Sequence, residues 1–392
     1  MSFNLLIAPD SFKHALSAVE VAKAIARGAE RLPNKDIHPI LFPLSDGGEG
    51  MSAILTHHSG GTMMPTTVSD PLFRSIIAHY GLSANKQTAF IEMAEASGLQ
   101  ILLPNERNPM HTTTYGTGQM ILHAIQQGAK HIILGIGGSA TNDGGIGMAA
   151  ALGYRFLDEH GHEISPVGKN LTQIATIDRS QLLFNPDELR ITLACDVNNP
   201  LCGKTGAANT YARQKGASDM EVEFLEKGLQ NYADIVHRQF GINIAHLSGA
   251  GAAGGTSAGA KVFLNAQIQT GIDLVMQYTG FDMQLSTAHL VITGEGSIDN
   301  QTMYGKVVKG VAQKAKQQGI PVLGFCGSLQ VTPKEIAEIG LTAAFSVLQT
   351  PCTLQEAIEH TADGLENLAF NVLRLYLSNF HVSTPPAKAD GY

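Results

Sequence analysis

The stretch Ile132-Ile133-Leu134-Gly135-Ile136-Gly137-Gly138-Ser139-Ala140-Thr141-Asn142-Asp143-Gly144-Gly145-Ile146-Gly147 decides the reading of the chain. Its apolar opening is a short buried-type strand, its glycine run a tight turn, and the small residues 148–152 begin a helix. Glycines without a Cβ let backbone N–H groups approach an anion closely. Ser139, Thr141, Asn142 and Asp143 add groups that hydrogen-bond a ligand or hold the water shell of a metal. The stretch reads as the centre of a polyphosphate site.

The two ends of the chain repeat a strand–loop–helix rhythm. Leu5-Leu6-Ile7 is a strand that runs into Ala8-Pro9-Asp10, and a capping box of Ser17 and Glu20 opens the next helix. A strand over 37–44 ends in Ser45-Asp46-Gly47-Gly48-Glu49-Gly50. Near the other end, Leu290-Val291-Ile292 runs into Gly294-Glu295-Gly296-Ser297-Ile298-Asp299. A helix over 307–318, a strand over 322–325, a helix opened by Thr332-Pro333 with Glu335, a strand over 343–347 and one long helix capped by Thr353 and Glu356 follow. Such β-α-β units predict one parallel sheet built from both ends. Residues 62–95 read as paired strands, with a helix near 117–127 after them. The expected organisation is a discontinuous α/β domain, 1–58 and 286–380, interrupted by a larger α/β domain, 59–285, and followed by a flexible tail, 381–392.

Composition narrows the partners. With 44% hydrophobic and 15% charged residues the chain is globular. A formal charge of −8 argues against a nucleic-acid partner, which needs a basic face. The four cysteines form no CxxC pair, which points to reduced thiols that pack as small hydrophobes. No apolar stretch approaches the roughly 18 residues of a spanning helix. The expectation is a cytoplasmic protein with no membrane partner, monomeric or homodimeric.

Polar residues collect at predicted strand ends: Asp10, Ser11 and Lys13; Asp46 and Glu49; Gly137 to Asp143; Asp196; and Glu295 to Asp299. In open α/β sheets ligands bind beyond the carboxyl ends of the strands, so a shared site in a cleft is expected. Each loop alone reads equally well as a solvated glycine turn. Asp196 reads as a base, a Mg²⁺ ligand or an Asx-turn cap. Lys13, Lys215 and Lys306 read as phosphate-neutralising or as solvated. His57-His58 reads as a solvated helix end, because adjacent helical residues do not face each other. A nicotinamide fingerprint, Gly135-x-Gly137-x-x-Ala140 with Asp158 downstream, competes. Against it, 158–161 resembles a hairpin turn, and the glycine segment carries more polar groups than a pyrophosphate turn requires. A Walker A loop is missing: Gly203-Lys204-Thr205 has Asn198 where that motif needs glycine, and Gly305-Lys306 is followed by Val307.

Read together, Ala8 to Lys13, Asp46 to Gly50, Gly135 to Gly147, Ala194-Cys195-Asp196-Val197, Gln214-Lys215-Gly216-Ala217, Gly249 to Gly255 and Gly294 to Lys306 resemble the bacterial glycerate kinases, in order and over about 3 to 378. The chain departs from the family pattern at His14 and Ser257, where glycine is frequent, and at Met51, where threonine is frequent. The resemblance implies ATP- and Mg²⁺-dependent phosphorylation of D-glycerate, usually to 2-phosphoglycerate and less often to 3-phosphoglycerate. It implies two domains, the discontinuous one Rossmann- or flavodoxin-like, with the active site in the cleft between them.

On that basis Asp196, Lys215 and Lys306 are the expected catalytic residues. Asp10, Ser11, Lys13 and Glu49 are expected to hold substrate. Gly137, Gly138, Ser139, Asn142, Gly251, Gly254 and Gly255 are expected to hold the nucleotide, and Asp46 and Asp299 the metal. Which carboxylate is base and which holds metal stays open. Rival readings are a kinase for another small hydroxy acid, a nicotinamide-dependent hydroxy-acid dehydrogenase and a non-enzymatic two-lobed binding protein.

Overall fold

The computed structural model describes residues 3–33, 36–304 and 306–378; the tail expected over 381–392 lies outside them. The chain divides into two compact units, Met1–Asp46 with Gly280–Tyr392, and Gly47–Thr279. Along the chain, the first unit contributes β1 (Phe3–Ile7) and β2 (Ile37–Leu41). The second contributes β3 (Thr62–Ser69), β4 (Ser75–Leu82), β5 (Thr88–Glu92), β6 (His131–Gly135), β7 (Arg155–Leu157), β8 (Thr176–Asp178), β9 (Arg190–Ala194) and β10 (Gln267–Gln269). The first unit resumes with β11 (Leu290–Ile298), β12 (Val322–Leu329) and β13 (Ala343–Ser346).

The first unit is built on a parallel sheet ordered β13-β12-β11-β1-β2. The late strand β11 pairs with β1 (Leu6 opposite Val291), so the intervening unit is inserted in the chain between β2 and β11, the two strands that flank β1 in the sheet. Leu5, Leu6, Ile7, Leu290, Val291 and Ile292 are all buried. Such unbroken apolar runs suit parallel strands covered on both faces. Pro39 interrupts β2 without cost to the sheet because β2 is an edge strand. The capping boxes at Ser17, Thr332 and Thr353 are formed. The single long helix expected after Thr353 is instead two, Leu354–Glu359 and Thr361–Ser378. At the break, Thr361 Oγ1 donates to the Ala357 carbonyl at 2.7 Å, a local bond that competes with the helical ladder.

The second unit carries a mixed sheet ordered β10-β9-β6-β5-β4-β3, in which β3–β4 and β4–β5 are antiparallel and the other pairs parallel. Pro65 again lies on an edge strand, β3. Phe263 centres part of the core, its ring 4.7 Å from Tyr154, 5.7 Å from Phe156 and 6.4 Å from Tyr232. The unit boundary differs from the expected 58/59. The helix Met51–His58 packs on β3, β4, β5 and the helix Gly271–Thr279. Its first turn is held by Glu92 at the end of β5, which accepts from Gly50 N at 3.1 Å and from Ser52 N and Oγ, each at 2.8 Å. Conversely the helix Phe281–Leu285 belongs to the first unit, where the Phe281 ring lies tilted against that of Phe42, centroids 5.6 Å apart, and Asp282 pairs with Lys314 at 2.9 Å. Among the described residues no helix is long and apolar enough to cross a membrane.

The first and last helices of the first unit close it by a tight approach. Gly28, in the helix Ala18–Glu30, faces Thr361–Ser378 so closely that a Cβ there would strike the Glu366 carbonyl oxygen and lie 2.8 Å from Ala369 Cβ. Arg27 and Arg31 flank the contact and pair with Glu366 at 2.9 and 3.2 Å. Gly28→Val is expected to destabilise the fold by about 1–3 kcal/mol through overpacking, seen as a lower urea midpoint. An unchanged midpoint would show that this helix pair is not closely packed in solution.

Candidate functional site

In the second unit β6 ends at Gly135 and releases the turn Gly137-Gly138, both exposed. The turn is pinned from one side. Leu99 N donates to Gly138 O at 2.8 Å and Ala140 N to Ser97 O at 2.9 Å. The backbone N–H groups of Gly137 and Gly138 have no acceptor among the described residues. Thr141, Asn142 and Asp143 then turn inward and are fully buried. The Asp143 carboxylate accepts from Thr114 N and Oγ1, both at 2.8 Å, from Gly145 N at 3.1 Å and from Gly147 N at 3.2 Å. Loss of hydration raises its pKa, and these donors oppose the rise. The first amides of the short helix Ile146–Ala151 are therefore spent on Asp143, and the N–H groups open to a ligand are those of the turn.

Lys215 lies behind this turn. Its ammonium is buried and donates to Ser139 Oγ and to the Thr141 carbonyl, each at 2.7 Å. Loss of hydration lowers its pKa to about 7, with the Asp143 charge opposing. Gly254, at φ +65°, seats its backbone on the same segment. Gly144 N donates to its carbonyl at 3.0 Å, and a Cβ on Gly254 would strike the Thr141 carbonyl oxygen. Gly251, Gly254 and Gly255 are all buried, and their immediate neighbours are protein backbone and side chains. The Asn142 amide is buried too, with neither of its polar atoms partnered among the described residues.

The remaining candidates of this unit gather at the carboxyl ends of β6 and β9. Gly47 packs on Gly271 and Ala194, and a Cβ on Gly137 would lie 3.7 Å from Gly48. Glu49 is exposed. Asp196, exposed beyond β9, accepts from Gly271 N at 2.9 Å and so holds the start of the helix Gly271–Thr279. The nicotinamide reading loses its acidic partner: Asp158 sits in a turn, accepting from His160 N at 2.9 Å and His162 N at 2.8 Å, with Leu157 bridged to Glu163.

The first unit gathers carboxylates at its own strand ends. Asp10 N donates to Gly294 O at 2.8 Å, and Ser11 N donates to Asp10 Oδ1 at 2.6 Å. Loss of hydration, then the charges of Asp46 and Glu295, push the Asp10 carboxyl up to about 7. Glu295, buried in β11, accepts from Thr302 Oγ1 at 2.6 Å, and Lys306 Nζ stands 3.9 Å from it. Burial raises its pKa as well, with Asp299 and Asp46 adding to the rise. Asp299 accepts from Ser297 Oγ at 3.2 Å. Lys13 is exposed. His14 adopts φ +66°, the left-handed region, which accounts physically for a preference for glycine there.

Three residues carry more of the site than their sequence positions alone suggest. Glu295 was visible only as one member of a polar loop, Asp143 only as a ligand group, and Glu92 only as a strand residue. Their roles depend on Thr302, Thr114 and Ser52, which folding alone brings near. Among the cysteines, Cys195, Cys202 and Cys326 are buried as expected, whereas Cys352 is exposed in the loop that follows β13.

The glycerate kinase family description matches residues 5–377. A glycerate kinase of Bacillus cereus (strain ATCC 10987 / NRS 248) is 44% identical over 373 residues, 95% of this chain and 98% of its own. The glycerate 2-kinase of Escherichia coli (strain K12) is 41% identical over 94% of this chain and 97% of its own. A crystal structure from Salmonella typhimurium LT2, provisionally named glycerate kinase 2, matches with a TM-score of 0.88 at 43% identity, covering 97% of this chain and 100% of that one.

The buried Lys215 makes stability depend on pH. Between about 7 and the ordinary lysine value near 10.4, the unfolded chain holds a proton at this position that the folded chain sheds. Folding therefore gains from rising pH in that window, while below about 7 the burial cost is constant. From pH 7 to 9.5, the urea midpoint of the wild type is expected to rise relative to that of Lys215→Met. Parallel curves would mean the ammonium is not desolvated.

Proposed function

This chain belongs to the glycerate kinase family, and from that premise we propose that it transfers the γ-phosphoryl group of ATP to a hydroxyl of D-glycerate, yielding 2-phosphoglycerate and ADP. The observation that carries the reading is the exposed Gly137-Gly138 turn, whose N–H groups have no acceptor among the described residues. Behind it lies the buried Lys215 ammonium. Phosphoryl transfer asks a protein for position and charge more than for covalent chemistry. Backbone N–H groups and a desolvated cation supply both.

The roles follow from the chemistry of each group. Gly137, Gly138 and Ser139 receive phosphate oxygens. Lys215 orients Ser139 and offsets phosphate charge. Gly251, Gly254, Gly255 and Asn142 serve the nucleotide by seating the turn. Lys13 and Ser11 donate to the glycerate carboxylate, with Asp10 and Glu49 accepting from its hydroxyls. Lys306 offsets charge on the transferring group. Asp196 takes the hydroxyl proton: one carboxylate oxygen is committed to Gly271 N, which fixes its direction.

The carboxylates of the first unit fit a hard divalent cation. Burial, with the charges of Asp46 and Glu295, raises the proton affinity of Asp10, and burial, with the charges of Asp299 and Asp46, raises that of Glu295, a crowding of negative charge that a cation relieves. Among the described residues no three His, Cys, Asp or Glu side chains form a metal cage. Mg²⁺ commonly uses only one or two carboxylates, completing its shell with water and phosphate. Asp46 and Asp299 would hold it, and when bound it would neutralise charge on the phosphates.

Phosphorus NMR of a reaction of ATP, Mg²⁺ and D-glycerate tests the proposal. The product signal is expected as a doublet, split by the single proton on C2. A triplet would place the phosphate on C3 and overturn the regiochemistry, and no organic phosphate at all would overturn the reaction. Asp196→Asn keeps an oxygen for Gly271 N and should fold normally while losing about 10²–10⁴-fold in kcat. Near-normal turnover would leave Asp196 as a helix cap only.

A further inference from the structure

The segment 98–114 lies along the glycine turn and is fastened to it repeatedly. Gly98 pairs with Ser139, Thr112 Oγ1 donates to Ala140 O at 2.9 Å, and Thr114 clasps Asp143. Arg107 sits midway along this segment, half-buried. Both neighbours in sequence are engaged elsewhere. Glu106 pairs with Arg74 at 2.6 Å, and Asn108 Nδ2 donates to Glu221 Oε1 at 2.8 Å. Arg107 is thus pinned on both sides, yet its own Nε is buried with no acceptor among the described residues. No carboxylate among them stands within ion-pair distance of its guanidinium.

Arg107 also abuts the turn that carries Lys215. Gly216, at φ +101°, presses its backbone on Arg107. A Cβ there would strike the Arg107 carbonyl oxygen and lie 3.3 Å from Arg107 Cβ. Two cationic residues thus stand on adjoining backbones, Lys215 donating to Ser139 at the end of the Gly137-Gly138 turn and Arg107 with a buried donor unspent. Native proteins leave few buried donors unpaired, and a charged one is the costliest to leave so. An oxyanion meets both needs. A guanidinium offers a planar fork to two phosphate oxygens, whereas an ammonium acts as a point charge.

We propose that Arg107 is a phosphate-binding residue of this kinase, supplying with Lys215 the countercharge for the polyphosphate of the nucleotide. The inference rests on the reading of Gly137 to Ser139 as the phosphate turn. Its consequence is a division of labour: Lys215 holds the turn in place, and Arg107 reads the ligand directly.

The test is calorimetric titration of the full-length protein with ADP and with AMP, for wild type, Arg107→Gln and Arg107→Lys, alongside KM for ATP and for D-glycerate. Arg107→Gln is expected to weaken ADP binding about 10- to 100-fold, the loss of one or two charged hydrogen bonds. AMP binding should weaken less, KM for ATP should rise, and KM for D-glycerate should hold. Arg107→Lys should recover part of the affinity. ADP binding by Arg107→Gln as tight as wild type overturns this inference alone. So does an equal rise in both KM values with a lowered unfolding midpoint, the mark of a structural role. Should Arg107→Gln fail to fold, Arg107→Lys with wild-type ADP affinity is the contradicting result. Wild-type protein that binds no ADP overturns the reading of the turn and this inference with it.

Discussion

The seating of one backbone segment, residues 141–145, on another, residues 254–259, is the constraint on which the candidate nucleotide site depends. Gly144 N meets Gly254 O, and neither Gly254 nor Gly259 has room for a Cβ against the facing chain. Asp143, buried between them and Thr114, ties off the amides that would otherwise seek a partner. With that segment immobilised, the exposed Gly137-Gly138 turn is held in place before any ligand arrives. Pre-organised donors lose little entropy on binding and need no rearrangement as charge develops.

Charge is arranged with opposite sign in the two units. In the second, a desolvated lysine and open N–H groups lie at the ends of β6 and β9, a setting for anions. In the first, Asp10, Asp46, Glu295 and Asp299 gather toward the carboxyl ends of β1, β2 and β11, where burial and neighbouring negative charge raise the proton affinity of Asp10 and Glu295, a setting for a cation and for hydroxyl protons. The formal charge of −8 hides this contrast, because it sums over a surface while each site depends on a handful of desolvated groups.

Much of the fold was legible because its signals are local. Ser17 with Glu20, Thr332 with Glu335 and Thr353 with Glu356 each close a capping box within one helical turn. The strand–glycine–helix order around Gly137 was equally local. What was not legible depends on partners far along the chain. Gly254 reads in sequence as a ligand-facing glycine, and the structure supplies a packing reason, Thr141, that no local window contains. Lys215 reads as a loop lysine, and only Ser139 and Thr141 make it a buried one. The helix Met51–His58 follows β2 in sequence, yet Glu92 claims its first turn for the second unit.

The most direct measurement is a TROSY titration of isotopically labelled protein with ADP. If the turn is a preformed phosphate receptor, the amide signals of Gly137, Gly138 and Ser139 move most, while those of Gly145 and Gly147, already bound to Asp143, stay close to their free positions. Signals of Gly137 and Gly138 that stay still while ADP binds elsewhere would contradict the account.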